Sequence, residues 1–257
     1  MCALVRRSPL VQSVDRAISV MEFLSHRGWS GVTEVSRELE IHKSTAYRLL
    51  TTLRDRGLVE QDAATEKYRL GFGLVLLARS VRADLDILRC ARPVCERLSE
   101  RTRETVTIAV LEGDDAVIIH QSISRASALG VDWTGRHTPL HATAAGKIFL
   151  AYMPEDQLLS VLGRPLERFT EDTIIDPAIL KDHANKIPDE GYSYTVEELE
   201  PGLNAIGAPI RGVDGAVVGA VSVSGPAFRL PPDTLPEIGE LSRRAAAEIS
   251  RCLGFQG

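Results

Sequence analysis

A chain of 257 residues, 44% hydrophobic and 25% charged, carries enough apolar side chain for one large globular unit or two modest ones. Its mean hydropathy is −0.03, and it contains no run of eighteen apolar residues, which excludes a membrane-spanning helix. The formal net charge of −5 argues against a nucleic-acid partner, but residues 1–84 hold 13 Lys+Arg and 10 Asp+Glu, against 17 and 25 in the remainder. A mildly basic head on an acidic body suits a two-part protein whose smaller part meets a polyanion. The opening MCALVRRSPLVQ lacks the apolar core and small-residue cleavage site of a secretory signal, so a cytoplasmic location is expected.

In chain order, SVDRAISVMEFLSHRG places Val14, Ala17, Ile18, Met21 and Leu24 at helical spacing, with Ser13 as N-cap and Gly28 past the end. A second short helix is predicted through TEVSRELE, and Glu40, Ile41 and His42 turn the chain into a third. At 100° per residue, Ala46, Leu49, Leu50 and Leu53 of that third helix share one buried arc. Ser44, Arg48 and Thr51 lie opposite, with Lys43 and Tyr47 on one flank and Thr45 and Thr52 on the other. A merely solvated face would favour Glu and Lys. Short hydroxyls, one aromatic ring and basic groups near the helix start instead let the backbone approach phosphates and base edges.

Gly57 follows as a left-handed C-terminal residue. Two short strands, Leu58–Glu60 and Lys67–Leu70, then flank QDAATE as a hairpin carrying Lys67 and Arg69. Helix, helix, tight turn, helix, hairpin is the order of a winged helix-turn-helix, which presents the helix after the turn to the major groove. The segment LVLLARSVRADLDILRCA reads as a connecting helix, with Leu74, Leu77, Ala78, Val81 and Leu85 forming an apolar seam suited to dimerisation. Pro93 marks a new helix start or a kink.

Beyond it the periodicity changes. ETVTIAVLEG and AVIIHQS flank a hairpin turn at Gly113–Asp115, and AIGAPIRG and AVVGAVSVSG flank another at Val213–Gly215. Helices are expected at TAAGKIFLAYM, PEDQLLSVL, DPAILKDHANKI and TLPEIGELSRRAAAEISRCL. Hairpins mixed with helices give an α+β domain on a largely antiparallel sheet.

Catalytic and cofactor motifs are broken or missing. HATAAGK ends like a phosphate loop, but His141 stands where a glycine is needed and Ile148 where Mg²⁺ would find a hydroxyl. GFGLVL starts like a dinucleotide fingerprint, but Leu76 takes the third glycine's place; there is no G-x-S-x-G elbow. His137 and His141 are spaced for a metal pair on a helix, but Pro139 between them favours a loop or a pocket wall. Cys2, Cys90, Cys95 and Cys252 complete no zinc spacing and read as free thiols. No enzyme activity, cofactor or metal is expected. A pure interaction module, its second part serving only to dimerise, remains the rival to a ligand-responsive regulator.

The strings SVDRAISVMEFL, KSTAYRLLTTLRDRGLVE, KYRLG, PLHATAAGKIFLA, GYSYTVEELEPGLNAIGAPI and GAVVGAVSVSGP, in this order and spacing, resemble the IclR family of bacterial transcriptional regulators over essentially the whole chain. The resemblance implies a winged helix-turn-helix domain (residues 1–72), a linker helix (73–90) and a GAF-like effector-binding and oligomerisation domain (91–257). It also implies a dimer or tetramer on palindromic double-stranded DNA that regulates catabolic genes, most simply as a repressor, in response to a small carboxylate. The DNA-facing set would be Lys43, Ser44, Thr45, Tyr47, Arg48, Thr51, Lys67 and Arg69.

Members that bind small keto acids hold the carboxylate on backbone amides matching Thr143–Gly146 and on hydroxyls matching Ser222 and Ser224. That implies an effector set of Ala144, Ala145, Thr195, Leu203, Ala205, Ser222 and Ser224. The physics agrees, since free amides at a helix start attract anions and alternate strand residues share a face. Those members carry an aspartate and a cysteine where this chain has Thr195 and Ala205. The substitutions imply a roomier, less charged pocket, suited to a larger and more apolar acid than glyoxylate or pyruvate.

Overall fold

The computed structural model describes residues 11–78, 82–124 and 131–256, and the chain divides into two compact units, 1–82 and 83–257. The expected linker, 73–90, straddles that division.

The first unit holds α1 (Gln12–Arg27), α2 (Val32–Glu38), α3 (Lys43–Asp55), the hairpin β1 (Val59–Gln61) and β2 (Tyr68–Leu70), and the short α4 (Gly73–Ala78). The apolar stripes read from periodicity meet in one core, where Val20, Leu24, Val35, Ala46, Leu50, Val59 and Tyr68 are buried. Ser13 is not the N-cap of α1. Val11 occupies that position with extended backbone, and its carbonyl already accepts the Asp15 amide, so the helix starts earlier. Gly28 and Gly57 both end helices at positive φ, +69° and +71°, a conformation that costs a residue with a Cβ.

The second unit begins with α5 (Arg82–Thr102) and continues through β3 (Thr105–Glu112), β4 (Asp115–Ile123) and β5 (His137–Pro139). Three helices follow, α6 (Ala144–Tyr152), α7 (Glu155–Leu162) and α8 (Pro177–Glu190), then β6 (Ser193–Val196), β7 (Leu203–Arg211), β8 (Val217–Pro226) and α9 (Leu235–Cys252). The strands form one sheet in the order β5-β4-β3-β8-β7-β6, every pairing antiparallel. Strand alternation sorts the side chains between its two faces. Val106, Ile108, Ile206, Ala208, Val221 and Val223 face α5 and α9, while Ala109 and Ala220 share a second core with α6, α7 and α8.

Two expectations need correcting here. Pro93 does not start a helix, because α5 runs through it. The missing N–H removes one backbone bond, but Cys90, Ala91, Val94, Cys95 and Leu98 anchor the helix on the core across that point. Cys90 and Cys252 are not free thiols: their Cα atoms lie 5.7 Å apart and a disulfide joins them across 162 residues of chain. Cys95 is free and buried, and Cys2 lies outside the described residues. His137 and His141 share no helix, in keeping with Pro139 between them. His137 opens strand β5 beside Asp115, whereas His141 is buried against Phe169 with its Nε2 2.8 Å from the Glu167 carbonyl. Among the described residues no group of His, Cys, Asp and Glu could hold a metal ion, and no helix is long and apolar enough to cross a membrane.

Candidate functional site

Two sites were expected, one in each unit. In the first, α3 buries Ala46, Leu50 and Leu53 and leaves Lys43, Ser44, Tyr47 and Arg48 exposed, with Thr45 half-buried beside them. The helix start is built by His42, whose Nδ1 accepts the Ser44 amide at 3.3 Å and lies 2.8 Å from the Ser44 hydroxyl. Histidine is an uncommon cap, which is why the residue read only as part of a turn. Thr51 sits differently from its neighbours, since its Oγ1 is shielded from solvent and finds no hydrogen-bond partner among the described residues.

On the hairpin, Lys67 is exposed beside β2. Arg69 is engaged within its own unit, where its Nε donates to Glu60 and its guanidinium stacks over the Trp29 ring 4.6 Å from the centroid. An Arg on an aromatic face with a carboxylate partner is held in place, so contact with a phosphate would compete with Glu60. Of the proposed seam, Leu77 is exposed, Leu74 is half-buried and Val81 lies outside the described residues; Phe72, Val75 and Leu76 nearby are also exposed.

In the second unit the seven expected effector residues, drawn from three stretches of sequence, all line one cavity of about 70 Å³. On the same measure a single water needs about 10–15 Å³, so the cavity suits a small organic molecule. Its floor is the sheet. The register places Thr105, Ser224, Ala205 and Thr195 in one row across β3, β8, β7 and β6. Thr107, Ser222, Gly207 and Ser193 form the next. Its other wall is the start of α6.

Local chemistry fixes that start. The N-cap Thr143 donates from Oγ1 to the Pro139 carbonyl at 2.7 Å and accepts the Gly146 amide at 3.1 Å. The Lys147 amide bonds the Thr143 carbonyl, which leaves Ala144 and Ala145 as the first two amides of the helix, with no acceptor inside it. Two glycines permit the close approach. A Cβ on Gly146 would lie 2.4 Å from the Leu140 backbone, and one on Gly207 would lie 3.0 Å from the carbonyl carbon of Ala144. Ser193 adds a bond from its hydroxyl to the Ala144 carbonyl at 2.6 Å.

The lining also includes Thr143, within the expected carboxylate segment, and Thr105, Thr107, Ile118, Trp133, Thr138, Ala142 and Leu199, which the sequence reading missed. A signal existed for two of them, since Thr105-Val106-Thr107 alternates just as Ser222-Val223-Ser224 does. No charged side chain lines the cavity among the described residues. The Ser222 hydroxyl is buried there without a hydrogen-bond partner among them, a costly state that a ligand acceptor or donor would relieve. Amides, hydroxyls and an indole ring around an uncharged cavity can hold an anion by hydrogen bonds and an apolar body by contact.

The comparisons with known proteins agree in both units. Residues 13–63 match the profile of the IclR helix-turn-helix domain, and residues 80–251 match that of the bacterial transcriptional regulator IclR C-terminal domain. The HTH-type transcriptional repressor AllR of Klebsiella pneumoniae is 34% identical over 247 residues, covering 95% of this chain and 91% of its own length. AllR of Escherichia coli K12 is 35% identical over 248 residues at the same coverage. Among solved structures, the IclR protein of Thermotoga maritima superposes with a TM-score of 0.77 at 29% identity, covering 96% of this chain and all of that one. An IclR homologue from Microbacterium hydrocarbonoxydans, complexed with 4-hydroxybenzoate, gives a TM-score of 0.77 at 27% identity and covers 94% and 98% of the two chains. The AllR relatives are named transcriptional repressors rather than enzymes. With both halves matched and these relatives aligned over nearly their full length, the chain belongs to the IclR family of bacterial transcriptional regulators.

Proposed function

We propose that the protein is a cytoplasmic repressor of a catabolic operon, released from its operator by a small organic acid bound in the cavity of the second unit. The observation that carries this reading is the convergence of the first two residues of α6, whose amides have no acceptor inside the helix, paired strand hydroxyls and the Trp133 ring on one uncharged cavity. The carboxylate would meet the amides of Ala144 and Ala145 and the hydroxyls of Ser222 and Ser224. Thr195, Leu203 and Ala205, with Trp133, would hold the body of the ligand. An aromatic acid fits this division better than a short keto acid, because Thr195 and Ala205 offer methyl groups where an acid and a thiol would favour a compact polar ligand, and the Trp133 indole adds an apolar surface. A relative complexed with 4-hydroxybenzoate and others named as repressors support the same reading.

On the DNA side, residues 1–72 would read a palindromic operator as a dimer or tetramer, with 73–90 as the linker and 91–257 holding the effector. A single winged module with a small positive charge binds too weakly to select one genomic site, so two half-sites are needed. Lys43, Ser44, Thr45, Tyr47 and Arg48 would enter the groove and Lys67 would meet phosphates; Arg69 would do so only by leaving Glu60. Thr51, half-buried on the same face as Ser44 and Arg48, would offer its hydroxyl to the DNA.

The test is calorimetric titration of the full chain with 4-hydroxybenzoate, benzoate, glyoxylate and pyruvate, followed by selection of bound duplexes from a random-sequence pool with and without the tightest acid. The expected outcome is tighter binding of the aromatic acids, a palindromic selected sequence, and release of that duplex on ligand addition. Glyoxylate or pyruvate binding as tightly as the aromatic acids would overturn the ligand assignment. Failure to select any sequence would overturn the regulator.

A further inference from the structure

The bond between Cys90 and Cys252 ties together two places that the fold makes consequential. Helix α5 opens the second unit, so the chain leaving the DNA-reading unit enters through it. Ile87 and Cys90 are buried near its start, at 1% and 3% exposure, and are early anchors of the helix on the core. Cys252 is the last residue of α9, the final helix. The cross-link therefore pins the early turns of α5 to the C-terminal end of the chain.

Its two ends differ in access. Cys90 packs into the core shared by α5, α9 and the sheet, whereas Cys252 is exposed at a helix terminus, where local opening costs least. Thiol–disulfide exchange requires a sulfur that an attacking thiolate can reach. Cys95, five residues further along α5, provides the contrast. It is fully buried, and burial pushes its thiol up to about 12, so it holds its proton and takes no part in exchange.

We propose that Cys90–Cys252 is a reversible redox site, in which oxidation clamps the start of α5 to α9 and reduction by a low-molecular-weight thiol such as glutathione releases it. The reductant's thiolate attacks the Cys252 sulfur, the S–S bond breaks, and Cys90 leaves as a thiolate that takes a proton. A second glutathione attacks the mixed disulfide at Cys252, frees that thiol and departs as glutathione disulfide. The protein disulfide gains two electrons and two protons, and two glutathione thiols are oxidised to one disulfide. Reversal by glutathione disulfide restores the clamp. In a compartment kept reducing by glutathione and thioredoxin, disulfides that form are usually transient and sensing. This one sits in the helix that opens the second unit.

The experiment uses the full chain carrying Cys2→Ser, equilibrated across glutathione to glutathione-disulfide ratios, trapped with iodoacetamide and weighed by mass spectrometry. The expected result is one reversible transition in which Cys90 and Cys252 gain label together while Cys95 gains none in the native protein. Hydrogen exchange on the same protein, oxidised against reduced, should show the amides over residues 87–94, Pro93 having none, exchanging at least tenfold faster after reduction. The thermal midpoint should fall by on the order of 5–10 °C, because the closed loop is long. Cys252→Ser and Cys252→Ala should each reproduce the reduced state. The proposal is overturned if no bond forms at any ratio, if the bond survives the most reducing buffer, or if exchange over 87–94 changes by less than twofold on reduction.

Discussion

Lys147 Nζ lies 2.5 Å from Glu198 Oε1, and the two side chains retain only 2% and 6% of their exposure. Burial pushes the Lys147 ammonium down and the Glu198 carboxyl up, and each charge opposes that push on its partner. Lys147 also donates to the Tyr194 carbonyl at 3.3 Å. The pair joins α6, whose first residues line the cavity, to the segment that brings Leu199 and Leu203 into its wall. Thr170 and Thr173 hold the same segment through its Glu197 and Glu198 carbonyls.

A buried pair of this kind contributes little beyond what apolar packing of similar volume would, but a single deletion strands the surviving charge. Lys147→Met should therefore destabilise the protein by about 3–5 kcal/mol. Lys147→Met with Glu198→Leu should recover most of that loss. Urea denaturation of both variants measures it, and a double variant no more stable than the single one would contradict this account.

The exposed outer face of α3 predicts a graded result on DNA. Arg48→Ala should cost about 1–3 kcal/mol in specific binding and relax preference at one base position, as loss of a bidentate base contact does. Lys67→Ala should weaken binding to all duplexes alike and lower the salt dependence. Arg69→Ala should also loosen the hairpin, because it removes the Glu60 partner and the stack on Trp29. Gel-shift titrations at several salt concentrations separate the three. Full operator preference in the Arg48 variant would remove that residue from the interface.

Two half-buried histidines predict how stability changes with pH. Burial lowers both His120, which lies near Arg92 and Glu96, and His183, which lies near Lys147, Lys186, Asp182 and Glu190. The folded state thus favours their neutral forms, while the unfolded chain takes up protons near the ordinary imidazole value of about 6.5. Their contribution is present above that value and is lost as pH falls through the lower folded values. The urea midpoint should drop between about pH 7.5 and 5.5, and the drop should shrink in His120→Gln with His183→Gln. An equal drop in that variant would assign the effect to other groups.

These sites were legible in the sequence to different depths. Long periodic helices such as α1, α3 and α9 declared themselves through apolar spacing, and both long hairpins through alternation around a turn. Strands β5 and β6 span only three and four residues, too few for a period to show. Ser222 and Ser224 were legible as one face of a strand, but that Thr105 and Thr107 lie directly beside them depends on the β3–β8 register, which alternation does not fix. The Cys90–Cys252 bond spans 162 residues and leaves no local trace at all.

The last prediction tests the cavity's geometry through a residue no ligand need touch. Gly207 pairs with Ser222 on the sheet, and a Cβ built on it would lie 3.0 Å from both the carbonyl carbon and the oxygen of Ala144. That is tighter than ordinary contact, and the obstacle is backbone, so the start of α6 must lift by a few tenths of an ångström. Anion binding at a helix start depends on amide hydrogens aimed at the ligand, and hydrogen bonds weaken steeply as alignment degrades. Gly207→Ala should therefore lower affinity for the tightest-binding acid about tenfold, roughly 1.4 kcal/mol, with a stability loss of about 1–3 kcal/mol from overpacking. Ser222→Ala should also weaken the acid, but without that stability loss, because it removes a hydroxyl with no partner among the described residues. Calorimetry and urea denaturation on the two variants read affinity and stability separately. If Gly207→Ala bound the acid as tightly as the wild type, the α6 amides would not be the carboxylate's donors.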